Sequence, residues 1–202
     1  MGSGRGRTFV LATFNRDKAR ELEALLAAAG ITLSTLADVA GASAPDENGA
    51  TLLDNARIKA AAALALTGQP AIADDTGLEV DALDGAPGVH AARFAGAGAT
   101  YADNVTLMLE RLRGVPPERR SARFRTVCVA HFPDGRELHA EGLLEGRITD
   151  APRGADGFGY DPIFELSDSR TLAELSVAEK NAISHRSRAV RALAEQLRAL
   201  AD

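Results

Sequence analysis

The segment that restricts the fold most is residues 122–149. Two runs, ARFRTVCVAHF (122–132) and ELHAEGLLEGRIT (137–149), flank Pro133-Asp134-Gly135-Arg136. The first run is rich in β-branched and aromatic residues, and the sequence between the runs is turn chemistry, so the pair reads as a long β-hairpin. Upstream, strand-like and helix-like patterns alternate. TFVLAT (8–13) is a short strand run, read as buried on both faces, that ends at Phe14-Asn15. RDKARELEALLAAAG then sets Ala19, Leu22, Leu25, Leu26 and Ala29 at helical spacing, with Gly30 as a stop and Asn15 in position to cap. ITLSTLADV (31–39) reads as a second strand, GASAPDENGA (41–50) as a loop, and TLLDNARIKAAAALALTG (51–68) as a helix closed by Gly68. Thr100 with Asp103, and Ser176 with Glu179, are capping-box starts for two later helices, and a last amphipathic helix follows Ser184. Strands alternating with helices around a hairpin predict an α/β fold, a mixed β-sheet flanked by helices.

Chemistry is concentrated in AIADDTGLEVDAL (71–83). An apolar run meets Asp74 and Asp75, which reads as a buried strand stopping at two acids, with LEVDAL as a following strand. Ligands of α/β proteins gather at such strand ends. Asp46 and Glu47 lie in the loop before the preceding helix. Carboxylates converging there repel one another unless a cation joins them, and hard oxygen ligands suit Mg²⁺; adjacent aspartates also suit an ordinary turn. Lys18 falls in the first turn of the helix after the first strand, where free N–H groups favour an anion. Asn55 and Lys59 are four residues apart and share one helix face.

The 202 residues carry 28 acids against 23 bases, a net charge of −5, which argues against a broad nucleic-acid-binding surface. No apolar run approaches the roughly 20 residues that span a bilayer. Cys128 is the single cysteine, so no internal disulfide forms and a cytoplasmic setting fits. Residues 1–6 read as a flexible leader. There is no GxxxxGK[ST] loop, no completed GxGxxG, and Ser184-His185-Arg186 does not constitute a triad. In GFGYDPIF (157–164), Gly157 and Gly159 allow close backbone approach to a ligand. Phe158 and Tyr160 offer flat faces on which a base could stack or that could anchor the loop, and Asp161 is an acceptor.

ATFNRDKARELEALL, DNARIKA, AIADDTGLEVDALDGAPGVHAARFAG, PRGADGFGYDPIF and AELSVAEKNAISHR occur in this order over nearly the whole chain. Together they resemble the inosine/xanthosine triphosphate pyrophosphatase family. The resemblance implies an elongated sheet in a single two-lobed domain (7–202) with a central active-site cleft, and a homodimer. It implies Mg²⁺-dependent hydrolysis of ITP, dITP and XTP to the monophosphate and pyrophosphate. By motif, Thr13, Asn15 and Lys18 would hold phosphates, with Phe14, Arg16 and Asp17 in the same turn. Lys59 would do so too, as a catalytic residue. Glu47 and Asp75 would hold the metal, with Asp75 also the general base, and Thr76 would contact substrate. Phe158, Gly159, Tyr160, Asp161, Lys180, His185 and Arg186 would form the nucleoside pocket. Phe14 stands where the family usually carries Gly, and Thr76 where Ser is usual. A pyrophosphatase for other damaged nucleotides, or a nucleotide sensor without catalysis, are the alternatives.

Overall fold

The computed structural model describes residues 8–200, so the leader expected at 1–6 lies outside the described residues. Its strands are β1 (Thr8–Leu11), β2 (Thr32–Thr35), β3 (Ala71–Val80), β4 (Pro87–Gly88), β5 (Ser121–His131), β6 (Glu137–Ile148) and β7 (Phe164–Glu165). Its helices are α1 (Arg16–Ala28), α2 (Leu52–Thr67), α3 (Tyr101–Arg111), α4 (Val177–Ile183) and α5 (His185–Ala199). The strands follow the order β2-β1-β3-β5-β6-β7, with β4 beside β3. β1 runs parallel to β2 and β3, whereas β4 is antiparallel to β3 and β7 to β6, so the sheet is mixed as expected.

The chain forms two compact units, and β3, β5 and β6 each contribute residues to both. Among the described residues, the first unit holds 8–75, 126–142 and 186–200. Its core joins Phe9, Leu11 and Ile72 of the strands, Leu22 and Leu26 of α1, Cys128 and Ala130 of β5, and Val190 and Leu193 of α5. The second unit holds 76–125 and 143–185, with a core of Leu78, Val80, Met108, Leu112, Phe124, Leu144, Ile163 and Phe164.

Local chemistry accounts for the helix ends. Asn15 Oδ1 accepts from the N–H groups of Asp17 (3.0 Å) and Lys18 (3.1 Å), satisfying donors that α1 leaves open. Thr51 and Asp54 cap α2 reciprocally, and Gly68 ends it in the left-handed region at φ 66°. The capping boxes at Thr100/Asp103 and Ser176/Glu179 form as the spacing predicts.

Two strand expectations need correction. The second strand stops at Thr35 rather than 39. Thr35 Oγ1 donates to Glu23 (3.1 Å), and the chain turns through Leu36–Asp38 to bury Leu36. The strand entering Asp74-Asp75 does not stop there. β3 continues to Val80, because basic side chains neutralise both carboxylates inside the unit and remove the cost of carrying them in a buried strand.

Candidate active site

The first unit gathers Asn55, Lys59, Glu47 and Asp75. Asn55 and Lys59 leave the same face of α2 and both reach Asp75 across from it. Lys59 Nζ lies 2.9 Å from Asp75 Oδ1, and Asn55 Nδ2 donates to Asp75 Oδ2 at 3.2 Å. The same ammonium lies 3.1 Å from Glu47 Oε2. Glu47 sits in an irregular loop, and Asn55 fixes that loop by accepting the Gly49 N–H at 2.8 Å. A Cβ on Gly49 would stand 2.7 Å from Asn55 Oδ1 and 2.9 Å from its backbone nitrogen, so close approach is open only to glycine. Asn55 is wholly buried and is a site residue that sequence reasoning left out, although its shared face with Lys59 was the available signal.

Electrostatics fix the protonation of this cluster. Burial alone would depress the Lys59 ammonium. The carboxylates of Asp75, Asp74 and Glu47, with the hydrogen bond to Asp75, outweigh burial and hold its pKa above the ordinary lysine value. Lys59 is therefore a cation at any physiological pH. Two carboxylate oxygens, from Glu47 and Asp75, thus converge on one positive centre.

A second charge cluster lies on Asp74. Lys18 Nζ and Arg186 Nε each stand 3.4 Å from Asp74 Oδ2, and Arg186 Nη1 pairs with Glu21 of α1. Arg186 is only 2% exposed. Burial works against its charge, but Asp74 and Glu21 more than compensate, raising its pKa further. Beside this cluster, Thr13 is buried and its Oγ1 accepts the Asn15 N–H at 3.3 Å. Phe14, in the position where glycine is usual, turns outward and is 39% exposed. Arg16 is exposed and Asp17 half-buried at the start of α1.

The second unit holds the glycine-rich loop. Asp161 organises it: Oδ2 accepts the Phe158 N–H at 2.8 Å and the Lys180 ammonium at 2.7 Å. Lys180 Nζ also lies over the Phe158 ring, 4.8 Å from its centre. Gly157, at φ 77°, leaves room for this turn, since a Cβ there would meet Asp161 Oδ2 at 2.2 Å. Gly159 is half-buried, also with positive φ. Tyr160 differs from its neighbours: it is buried in the core and its hydroxyl donates to the Ala91 carbonyl at 2.9 Å, so of the two aromatics it is the loop's anchor. His185 is buried and stacked on Phe124, with ring centres 4.6 Å apart. Thr76 is half-buried on β3.

A profile of the Ham1 family matches residues 9–196. The chain belongs to the Ham1 family. A protein from Symbiobacterium thermophilum named dITP/XTP pyrophosphatase is 50% identical over 198 residues, covering 97% of this chain and 98% of that one. A Thermus thermophilus protein of the same name is 51% identical, covering 95% and 92%. The solved structure of a HAM1 protein from Coxiella burnetii superposes with a TM-score of 0.85 at 41% identity, covering 95% of this chain and 98% of that one. Ham1 membership and this likeness bear out the α/β mixed-sheet expectation and the resemblance read from the five motifs.

Among the described residues of this Ham1 chain, no group of three or more His, Cys, Asp or Glu side chains is arranged to hold a metal. Mg²⁺, however, commonly takes one or two carboxylates and completes its shell with water and substrate phosphate. Glu47 and Asp75 bring two carboxylates to one point, where the Lys59 ammonium lies, and such a pair is the donor set this ion takes. No described helix is long and apolar enough to cross a membrane.

Proposed function

We propose that this chain hydrolyses non-canonical purine nucleoside triphosphates, ITP, dITP and XTP, to the monophosphate and pyrophosphate. The names of its relatives support the substrate class, and the geometric observation that carries the reading is Lys59 held between Glu47 and Asp75. In this reading Glu47 and Asp75 would hold Mg²⁺, which would supply positive charge against the phosphates and a Lewis acid for water. Lys59 and Lys18 bring positive charge to the polyphosphate and stabilise the charge that develops on the leaving pyrophosphate. Asp75 orients a water and takes its proton. The water oxygen joins one phosphorus of the α–β anhydride as the P–O bond to the other half breaks. Asn55 keeps Asp75 aimed while this occurs.

Phe158 supplies a face for the purine, and Lys180 of α4, tied to that loop through Asp161, supplies a donor. A 6-oxo group accepts from that ammonium, whereas the 6-amino group of adenine leaves it unmatched, a mismatch able to discriminate by about 10⁴-fold. The chain acts as a homodimer on the cytoplasmic nucleotide pool, an assignment supported by the five ordered motifs and by a lone cysteine that is buried. Incubation with ITP, with and without Mg²⁺, tests the reaction. IMP and pyrophosphate are expected, and only with the ion. IDP and phosphate would redirect the assignment, and binding of ITP without any turnover would make the chain a sensor.

A further inference from the structure

Residues 151–157 are exposed, yet Phe158, which follows, is half-buried, and the neighbours of its ring include two side chains. One is Lys180, described above. The other is Tyr101, which none of the sequence motifs includes: its ring centre lies 5.8 Å from that of Phe158, with the planes inclined at 36°. Tyr101 is the first residue of α3 and sits on a fixed base. Thr100 and Asp103 cap the helix reciprocally at 2.8 and 3.2 Å. Asn104 then ties α3 to the preceding loop, accepting the Ala95 N–H at 2.8 Å and donating to the Ala92 carbonyl at 3.2 Å. On this rigid end Tyr101 remains 39% exposed. Two rings completing a core would bury each other, as Phe124 and Phe164 do. Tyr101 instead keeps much of its surface in solvent beside Phe158.

We propose that Tyr101 is a second aromatic wall of the nucleobase site, so that the purine seats between Tyr101 and Phe158. The proposal rests on the nucleotide reading given above. A planar base between two rings needs a separation of about 7 Å, two contacts of about 3.5 Å each. Side-chain rotation supplies the small widening required, while the Phe158 backbone stays held by Asp161. Lys180, anchored to Asp161, keeps its ammonium over the Phe158 ring and so lies within the same nucleobase site.

Intrinsic fluorescence tests this directly, because the chain contains two tyrosines and no tryptophan. IMP is titrated against the full chain, Tyr101→Phe and Tyr101→Ala, following both tyrosine emission and binding heat. Emission of the unaltered chain should change saturably with IMP. In Tyr101→Phe that signal should vanish while affinity stays within about twofold, since the flat face survives. Tyr101→Ala should bind IMP about tenfold more weakly, and its KM for ITP should rise by the same factor with kcat nearly unchanged. A Tyr101 that merely shields Phe158 would lower stability without altering IMP affinity. Equal IMP affinity in all three chains with unresponsive emission, while ITP is still hydrolysed, overturns the role of Tyr101 and leaves the enzyme assignment standing. Absence of both ITP turnover and IMP binding in the unaltered chain removes both.

Discussion

Asp74 and Asp75 are adjacent in β3 and serve different cations. Asp74 Oδ2 stands 3.4 Å from both Lys18 Nζ and Arg186 Nε, whereas Asp75 Oδ1 stands 2.9 Å from Lys59 Nζ. Successive side chains of a strand point to opposite faces, so one dipeptide addresses α1 and α5 on one side and α2 on the other. Carboxylates crowded into one site repel one another; separation by face gives each its own cation partners. Asp74 is paired with the buried Arg186 and the half-buried Lys18. Asp75 lies beside Glu47, whose side chain is 33% exposed and open to a ligand.

That division predicts different outcomes for isosteric changes. Asp75→Asn should reduce pyrophosphate release from ITP by at least about 100-fold, the usual scale for loss of a general base. The fold should persist with a lowered thermal midpoint, because the single amide oxygen cannot accept from both Asn55 and the Lys59 ammonium. Turnover within a few-fold of the unaltered enzyme would take Asp75 out of the chemistry.

Arg186→Met tests the opposite face. It leaves the carboxylates of Asp74 and Glu21 buried without their guanidinium, and breaking a buried pair in this way costs about 3–5 kcal/mol. The urea midpoint should fall accordingly, with an unchanged slope. The resemblance places Arg186 in the nucleoside pocket instead. If that is its main role, the variant stays nearly as stable and the ratio of ITP to ATP turnover collapses, so the two measurements separate the assignments.

Legibility in the sequence followed the range of the interaction. Caps act within three residues, so Asn15, Thr100 and Ser176 could be placed from the sequence, and the 3.6-residue period put Asn55 and Lys59 on one face. The continuation of β3 through its acids was hidden, because its cause is remote: Glu21 and Arg186 meet across 165 positions of chain. The same holds for Tyr101 and Phe158, whose contact no local pattern announces. Tyr160 was read as a possible platform because aromatic identity shows a flat face but not which side of it is buried.

Lys59 sets the alkaline limit of the cluster. Its folded pKa lies above the ordinary value of 10.5, so its charge contributes fully to stability below that pH and the contribution is lost as pH rises through the folded value. In Lys59→Met, Glu47 and Asp75 face each other without the ammonium, and the variant should be less stable near neutrality. The gap between the two proteins should stay constant up to about pH 10 and narrow above it. Urea midpoints across that range are the measurement; a gap that narrows on the acid side instead would assign the linkage to another group. Added Mg²⁺ should raise the thermal midpoint of the variant more than that of the unaltered chain, since the ion then supplies the charge that the two carboxylates lack.

The loop around Asp161 gives the last prediction. Gly157→Ala demands an alanine at φ 77° and drives its Cβ to within 2.2 Å of Asp161 Oδ2, the atom that receives both the Phe158 N–H and the Lys180 ammonium. Asp161 must move, and Phe158 and Lys180 lose their common anchor. In the proposed reading these groups meet the base rather than the phosphates, so KM for ITP should rise by about tenfold or more while kcat falls much less. Asp161→Asn keeps the shape and an acceptor for the Phe158 N–H but removes the charge that holds Lys180, so it should show a smaller KM effect and a weaker preference for ITP over ATP. Steady-state kinetics with both nucleotides distinguish the two variants, and a fall in kcat at constant KM would place this loop with the reacting phosphates instead.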